Sequence, residues 1–213
     1  MICVSLAGSS VDEILESLKT LEFAEIRLDK SGLAEGEVRR LFSSSKVPLI
    51  ATCRPGTMPD PDRFKLLRAA IDSGAAYVDV EIGNPPDLMA DLLSLAKEKQ
   101  CRFIISRHYY QETPMRLVLQ QAIDEAFDRG ADIAKLVCQV KNFQDCSRLL
   151  SLYELKKNIL ALGLGKIGVL TRIAGPFLGA PFTYASLAPG KETAEGQPDF
   201  ETLKSILALL EHA

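Results

Sequence analysis

The chain has 213 residues, is 47% hydrophobic and 25% charged, and carries a formal net charge of −3. That balance excludes a disordered or fibrous chain, and a chain of this length buries enough apolar surface to need no stapling. So small a charge, negative in sign, excludes the large cationic excess of a nucleic-acid binder. A small anionic substrate is compatible with it, since that needs only a few local arginines.

The five cysteines are Cys3, Cys53, Cys101, Cys138 and Cys146. They lack paired spacing, and the first four sit in apolar, strand-like runs, the signature of reduced core thiols in a cytoplasmic protein. With no C-x-x-C pair and only two histidines, no metal site is expected. The apolar start Met1–Leu6 is too short for a signal peptide and lacks a basic leader. No run reaches the length of a membrane helix.

Short β-branched runs alternate with amphipathic stretches along the whole chain. Strands are expected at Ile2–Leu6, Ala24–Leu28, Leu49–Arg54, Tyr77–Ile82, Phe103–Ser106, Ile133–Cys138, Ile159–Leu164 and Phe182–Ser186. The clearest helical periodicities lie at Val11–Leu21, Arg63–Ile71, Leu88–Ala96, Met115–Phe127, Cys146–Leu155 and Phe200–Leu210. Such alternation implies a parallel sheet. Eight units in one compact chain suggest an α/β fold of the eight-fold β/α (TIM) barrel type, one domain over 1–213, near the lower size limit. The rival open, doubly wound sheet would want a glycine-rich turn after the first strand, and Ala7-Gly8-Ser9-Ser10 does not supply it.

Active sites of such barrels lie at the C-terminal strand ends. In the second strand Glu25, Arg27 and Asp29 are expected on one face, where burial without partners would be costly; a solvated edge strand is the alternative. Pro55 ends the third strand and leaves Arg54 at the rim. In the fourth, Asp79 and Glu81 share a face and are expected to partner Arg27 or Arg54. His108 falls just after the apolar run of the fifth strand. The other histidine, His212, is terminal, so a general base of imidazole type would have to be His108. Lys135 stands mid-strand among apolar residues, where lysine is seldom buried without a partner or a function. Desolvation favours the neutral, nucleophilic amine that imine chemistry requires; a lysine snorkelling from a strand end is the other reading. The glycines of Gly163–Gly168 suit a loop passing close to a ligand, followed by Arg172, a two-point carboxylate binder. The polar loop Ala188–Pro198 can act as a lid with Thr193 and Gln197.

The ordered set resembles the type I 3-dehydroquinate dehydratases of the shikimate pathway. Glu25–Asp29 is similar to the family's E-x-R-x-D strand, Arg54 to its strand-three arginine, and Ser106-Arg107-His108 to the segment with its catalytic histidine. Ala134-Lys135 is similar to the imine-forming segment, Gly168–Arg172 to G-x-x-S-R, and Phe182–Ala185 and Thr193–Gln197 to the strand-eight and lid motifs. The resemblance implies dehydration of 3-dehydroquinate to 3-dehydroshikimate. Lys135 would form a Schiff base, His108 would act as acid and base, and Glu25, Arg27, Arg54, Arg172, Thr193 and Gln197 would bind substrate. It implies no cofactor and no metal. The chain departs from the pattern in several places. Pro55–Pro59 lacks the loop glutamate, Tyr109 replaces an acidic or amide residue, and Leu164 replaces a methionine. In the lid, Thr193 replaces a serine and Glu195 a proline.

A class I aldolase-type barrel, which would use Lys135 with a phosphate on the glycine-rich turn, remains open at this point. So does an inactive barrel serving as a scaffold. The expected partner is the small-molecule substrate, with no nucleic acid and no membrane. A homodimer through barrel helices is compatible with the sequence, although no heptad seam declares one, and some relatives are fused to a shikimate dehydrogenase.

Overall fold

The computed structural model describes residues 1–8 and 10–211, so His212 lies outside the described residues. The chain runs β1 (Ile2–Leu6), α1 (Val11–Leu18), β2 (Ala24–Arg27), α2 (Leu28–Ser31), α3 (Glu35–Ser44), β3 (Leu49–Thr52) and α4 (Asp60–Asp72). It continues with β4 (Tyr77–Glu81), α5 (Pro86–Glu98), β5 (Arg102–Tyr109), α6 (Arg116–Asp128) and β6 (Ile133–Gln139). Then come α7 (Phe143–Leu150), a 3-10 segment (Ser151–Leu155), β7 (Ile159–Leu164), α8 (Val169–Leu178), β8 (Thr183–Ser186) and α9 (Phe200–Glu211).

All eight expected strands are present, in one sheet of order β7-β6-β5-β4-β3-β2-β1-β8. Sequence neighbours lie side by side and the first strand pairs with the last, the ladder of an eight-fold β/α barrel. Their apolar runs reflect burial on both faces, as parallel strands under helices require.

The main departures from expectation are these. Helix α1 stops at Leu18, where Lys19 N–H donates to Glu16 O and Leu21 N–H to Leu18 O, tightening the chain into a turn. Helix α7 begins at Phe143 because the Asn142 side chain caps it, accepting from Asp145 N–H at 3.0 Å; its expected second half is the 3-10 segment. Helices α2 and α3 were not expected. The first ends at Gly32, whose φ of 68° suits glycine. The second starts where the Glu37 carboxylate accepts the Ala34 N–H at 2.8 Å. Strand β5 runs on through Tyr109 and takes in His108.

Two compact units make up the chain. One comprises Met1–Ser5, Ser106–Arg129 and Ile133–Ala213. In it β1 and β8 pair in parallel with Cys3 opposite Tyr184 and Ser5 opposite Ser186. Strands β6 and β7 pair with Lys135 opposite Leu160 and Gln139 opposite Leu164. Helix α9 is fastened by Leu203 and Leu207, which pack with Ala185 against Ile2, Ile173 and Phe200.

The second unit comprises Leu6–Ile105 and Gly130–Asp132. Here Arg27 lies opposite Thr52 and Thr52 opposite Asp79, so polar residues of β2, β3 and β4 share a face. The end of β3 is held by Arg63 of α4, which is only 1% exposed. Its guanidinium donates to Cys53 O at 2.8 Å and to Asn84 Oδ1, and pairs with Asp60 at 2.7 Å. Asn84 in turn donates to Glu81 O at 2.7 Å. One buried cation therefore ties the chain beside Arg54 to the chain after β4.

Replacing Arg63 by methionine keeps the length and removes the donors. Two buried acceptors then lose their partner, at about 1–3 kcal/mol each. Urea unfolding of Arg63→Met should show a loss of at least about 2 kcal/mol; an unchanged midpoint and slope would contradict this account of the β3 end.

Candidate active site

Lys135 occupies β6 between buried apolar residues and is 5% exposed, which rules out the snorkelling alternative. Its amine donates to Tyr184 Oη at 3.0 Å and sits 4.2 Å from the centre of the Tyr184 ring. Its register partner is Leu160, and Leu162 and Leu164 follow on the same buried face of β7. An ammonium in such surroundings depends on the few oriented groups it meets, and an aromatic face is one that tolerates a cation. Sequence reasoning gave Tyr184 no chemical weight. Strand alternation predicts its inward face, but its contact with Lys135 is made across 49 residues.

His108 lies inside β5, not beyond it, and is half-buried. Two residues earlier on the same face is the fully buried Ser106. The imidazole stacks on Tyr110 with ring centres 5.5 Å apart and planes 22° from parallel. Because β5 is the sheet neighbour of β6, His108 and Lys135 come from adjacent strands.

Arg172 is buried in the first turns of α8, and its guanidinium reaches Gly163 O at 3.5 Å. The turn before it is close-packed. Gly163 N–H donates to Thr171 Oγ1 at 2.8 Å, and that hydroxyl donates to Gly168 O at 2.7 Å. A Cβ on Gly163 would stand 2.7 Å from Gly168 Cα, and one on Gly168 would stand 2.5 Å from the Gly163 carbonyl carbon. These glycines are required by backbone meeting backbone. The turn is thus held by its own packing at Gly163 and Gly168, and Arg172 follows it as a buried residue of α8.

The Ala188–Pro198 loop is seated on the same turn. Gln197 Oε1 accepts from Thr193 N–H at 3.0 Å and from Thr193 Oγ1 at 3.1 Å, and both residues are buried. Gly165 N–H donates to Glu195 O at 3.4 Å. Gly196 has a φ of 72°, and a Cβ there would overlap Gly165 O. Thr193 and Gln197 thus bond one another and fold the loop.

In the second unit Glu25 is buried and accepts from Thr52 Oγ1 at 2.9 Å. Arg27 grips Asp29 at two points, Nε to Oδ1 at 2.9 Å and Nη2 to Oδ2 at 2.6 Å. Burial alone would lower the Arg27 pKa, but the Asp29 hydrogen bond and the charges of Glu25 and Asp29 outweigh it and raise it. Asp29 does not extend the β2 face as expected. The chain turns into α2 at Leu28, and Asp29 meets Arg27 from the first helical turn. The solvated-edge alternative also fails, since Glu25 is buried and the Arg27–Asp29 pair is largely so. Arg54 bridges two acids, Asp79 at 3.0 Å and Glu81 at 2.9 Å. The neighbouring Cys53 thiol is pushed up to about 12, by burial first and then by the Asp29 charge, which makes it an inert core thiol. Among the described residues no His/Cys/Asp/Glu group is arranged to hold a metal, and no helix is long and apolar enough to cross a membrane.

These features define a β/α-barrel enzyme with a lysine amine buried among its strand side chains and an imidazole on the adjacent strand. The profile of the family described as Type I 3-dehydroquinase matches residues 2–213. The chain belongs to that family, and is an enzyme of the lyase class that dehydrates 3-dehydroquinate in the shikimate pathway. It is similar to the 3-dehydroquinate dehydratase of Desulfotalea psychrophila, 31% identical over 97% of this chain and 96% of that one. The solved 3-dehydroquinate dehydratase of Geobacillus kaustophilus shares the fold with a TM-score of 0.88 at 24% identity, over 99% of this chain and 91% of that one. The solved dehydroquinate dehydratase and shikimate dehydrogenase from S. pombe shares the fold with a TM-score of 0.82 at 21% identity, over all of this chain and 45% of that one.

Gly196→Ala should lift the Ala188–Pro198 loop from the Gly165 turn, because the positive φ and the Gly165 carbonyl both oppose a Cβ. Limited proteolysis is expected to cut this loop several-fold faster than in the parent. Equal cleavage rates would mean that the seating is not held by that contact.

Proposed function

We propose that the chain dehydrates 3-dehydroquinate through a Schiff base on Lys135, with His108 as general base and then general acid. The observation that carries this reading is an amine buried in an apolar strand and held by Tyr184. A lysine is seldom buried without a partner or a function, and use as a nucleophile is the chemistry such a site favours.

In this route the amine attacks the substrate ketone and water leaves to give a protonated imine. The imine withdraws electrons, so the adjacent C–H becomes acidic. His108 takes that proton to give an enamine, and then returns a proton to the departing hydroxyl. Water hydrolyses the product imine and frees 3-dehydroshikimate and Lys135. One imidazole serves both proton steps because its ordinary pKa lies near neutrality. No step calls for a metal or an organic cofactor.

Arg172 is assigned to the substrate carboxylate, supported by its burial and its place in the first turns of α8. Arg27 and Arg54, each fixed by carboxylates, and Glu25, fixed by Thr52, are assigned to the substrate's hydroxyl-bearing face. Thr193 and Gln197 are assigned to the lid, supported by their mutual hydrogen bonds. The aldolase-type reading rested on a phosphate-binding glycine turn, and two of those glycines, Gly163 and Gly168, are accounted for by their contact with each other's backbone. We further take residues 1–213 as one catalytic domain and the cytoplasm as its location. A homodimer or a fused shikimate dehydrogenase is compatible with this assignment.

Borohydride added with substrate or product should inactivate the protein and leave an adduct whose peptide maps to Lys135. In His108→Ala the covalent species should still form and then accumulate in intact-mass spectra, with turnover reduced by about 10²–10⁴-fold or more. An adduct on Lys166 instead, or near-normal turnover in His108→Ala, would overturn the corresponding assignment.

A further inference from the structure

We propose that Tyr184 is a further catalytic residue, whose phenol moves a proton from nitrogen to oxygen in the adduct that precedes the imine. The proposal rests on the assignment of Lys135 as the imine-forming residue. When an amine adds to a ketone, the new C–N bond leaves a positive nitrogen and a negative oxygen two bonds apart. A proton must pass from one to the other before water can leave. In bulk solvent, water carries it; beside a buried amine, a fixed group must do so.

Tyr184 is placed for that task. Its Oη lies 3.0 Å from the Lys135 amine, so a hydroxyl already bonded to the nitrogen is within reach of an oxygen two bonds further on. A phenol can donate and accept at once. Its donor goes to the alkoxide while its oxygen accepts the ammonium proton. The O–H bond formed on the adduct and the N–H bond broken on the amine balance, and the phenol ends neutral. In hydrolysis of the product imine the same transfer runs backwards.

The ring is held so that the hydroxyl cannot swing away. Tyr184 is buried in β8, paired in register with Cys3. It packs edge-on to Phe182 with ring centres 5.6 Å apart. The amine rests on the ring face as well as on the hydroxyl, so the aromatic face fixes where the nitrogen stands and the phenol handles the proton.

Tyr184→Phe keeps the ring and removes the proton carrier. In single-turnover experiments with borohydride trapping, formation of the Lys135 adduct should slow by about 10²-fold or more and become the slowest step. A hydroxyl that only satisfies a buried amine predicts something different: a lowered melting temperature with adduct formation at the parent rate. That result would overturn the proposal. A fluorinated tyrosine at 184, which keeps the hydroxyl but ionises more readily, should move the alkaline decline of adduct formation to lower pH; an unmoved decline would likewise overturn it. If the parent protein itself gives no adduct on Lys135, the Lys135 assignment fails and this proposal fails with it, an outcome distinct from the two above.

Discussion

The Lys135 amine is buried in a strand whose neighbours are isoleucine, alanine, leucine and valine, and it meets the hydroxyl and ring face of Tyr184. Burying such a group costs several kcal/mol unless oriented dipoles receive it. A chain that only needed stability would place an apolar residue there, since replacing buried ionic groups by apolar ones is often neutral or stabilising. Around this lysine Leu160, Leu162 and Leu164 line the same face of β7, and Tyr184 is held by its register with β1. The proposed imine formation on Lys135 is a function that would use an amine placed in this way.

The second unit places its charges in pairs, each in a fixed geometry. Arg27 forks onto Asp29, Arg54 spans Asp79 and Glu81, and Arg63 closes the end of β3 from behind. A guanidinium held by two carboxylates cannot change direction readily, so its remaining surface is presented in one orientation. Preorganisation of that kind lowers the ordering cost of binding a polar substrate.

How much of this was legible in the sequence depended on whether the signal was local. The eight strands were legible because parallel strands buried on both faces read as unbroken apolar runs. The candidate residues on them drew notice because a charge in such a run is conspicuous: Lys135, Arg27 and Asp79 all stood out. What escaped was non-local or broke a pattern. Strand β5 looked finished at Ser106 because Arg107 and His108 are polar, although the ladder continues to Tyr109. Asp29 was assigned to the β2 face by extending an alternation that the chain abandons at Leu28. Helix α2 is too short to show a period, and the apolar face of α3 is confined to Val38, Leu41 and Phe42. The glycines of Gly163–Gly168 signalled close approach, but a sequence does not say to what; here Gly163 and Gly168 meet each other's backbone, and Gly165 meets the Gln139 side chain. Arg63 only opened a helical run, and Tyr184 only stood within the strand-eight motif. Both draw their meaning from partners far along the chain.

The central claim is that the substrate ketone becomes an imine on the enzyme. Imine formation expels the ketone oxygen, and hydrolysis replaces it with one from water. Turnover in ¹⁸O-enriched water, followed by mass analysis of the freshly formed product, tests this directly. The account predicts that the product ketone carries a solvent oxygen after each turnover, beyond the slow exchange of the free ketone. Product that keeps its original ketone oxygen would contradict the account, whatever the fold and the family.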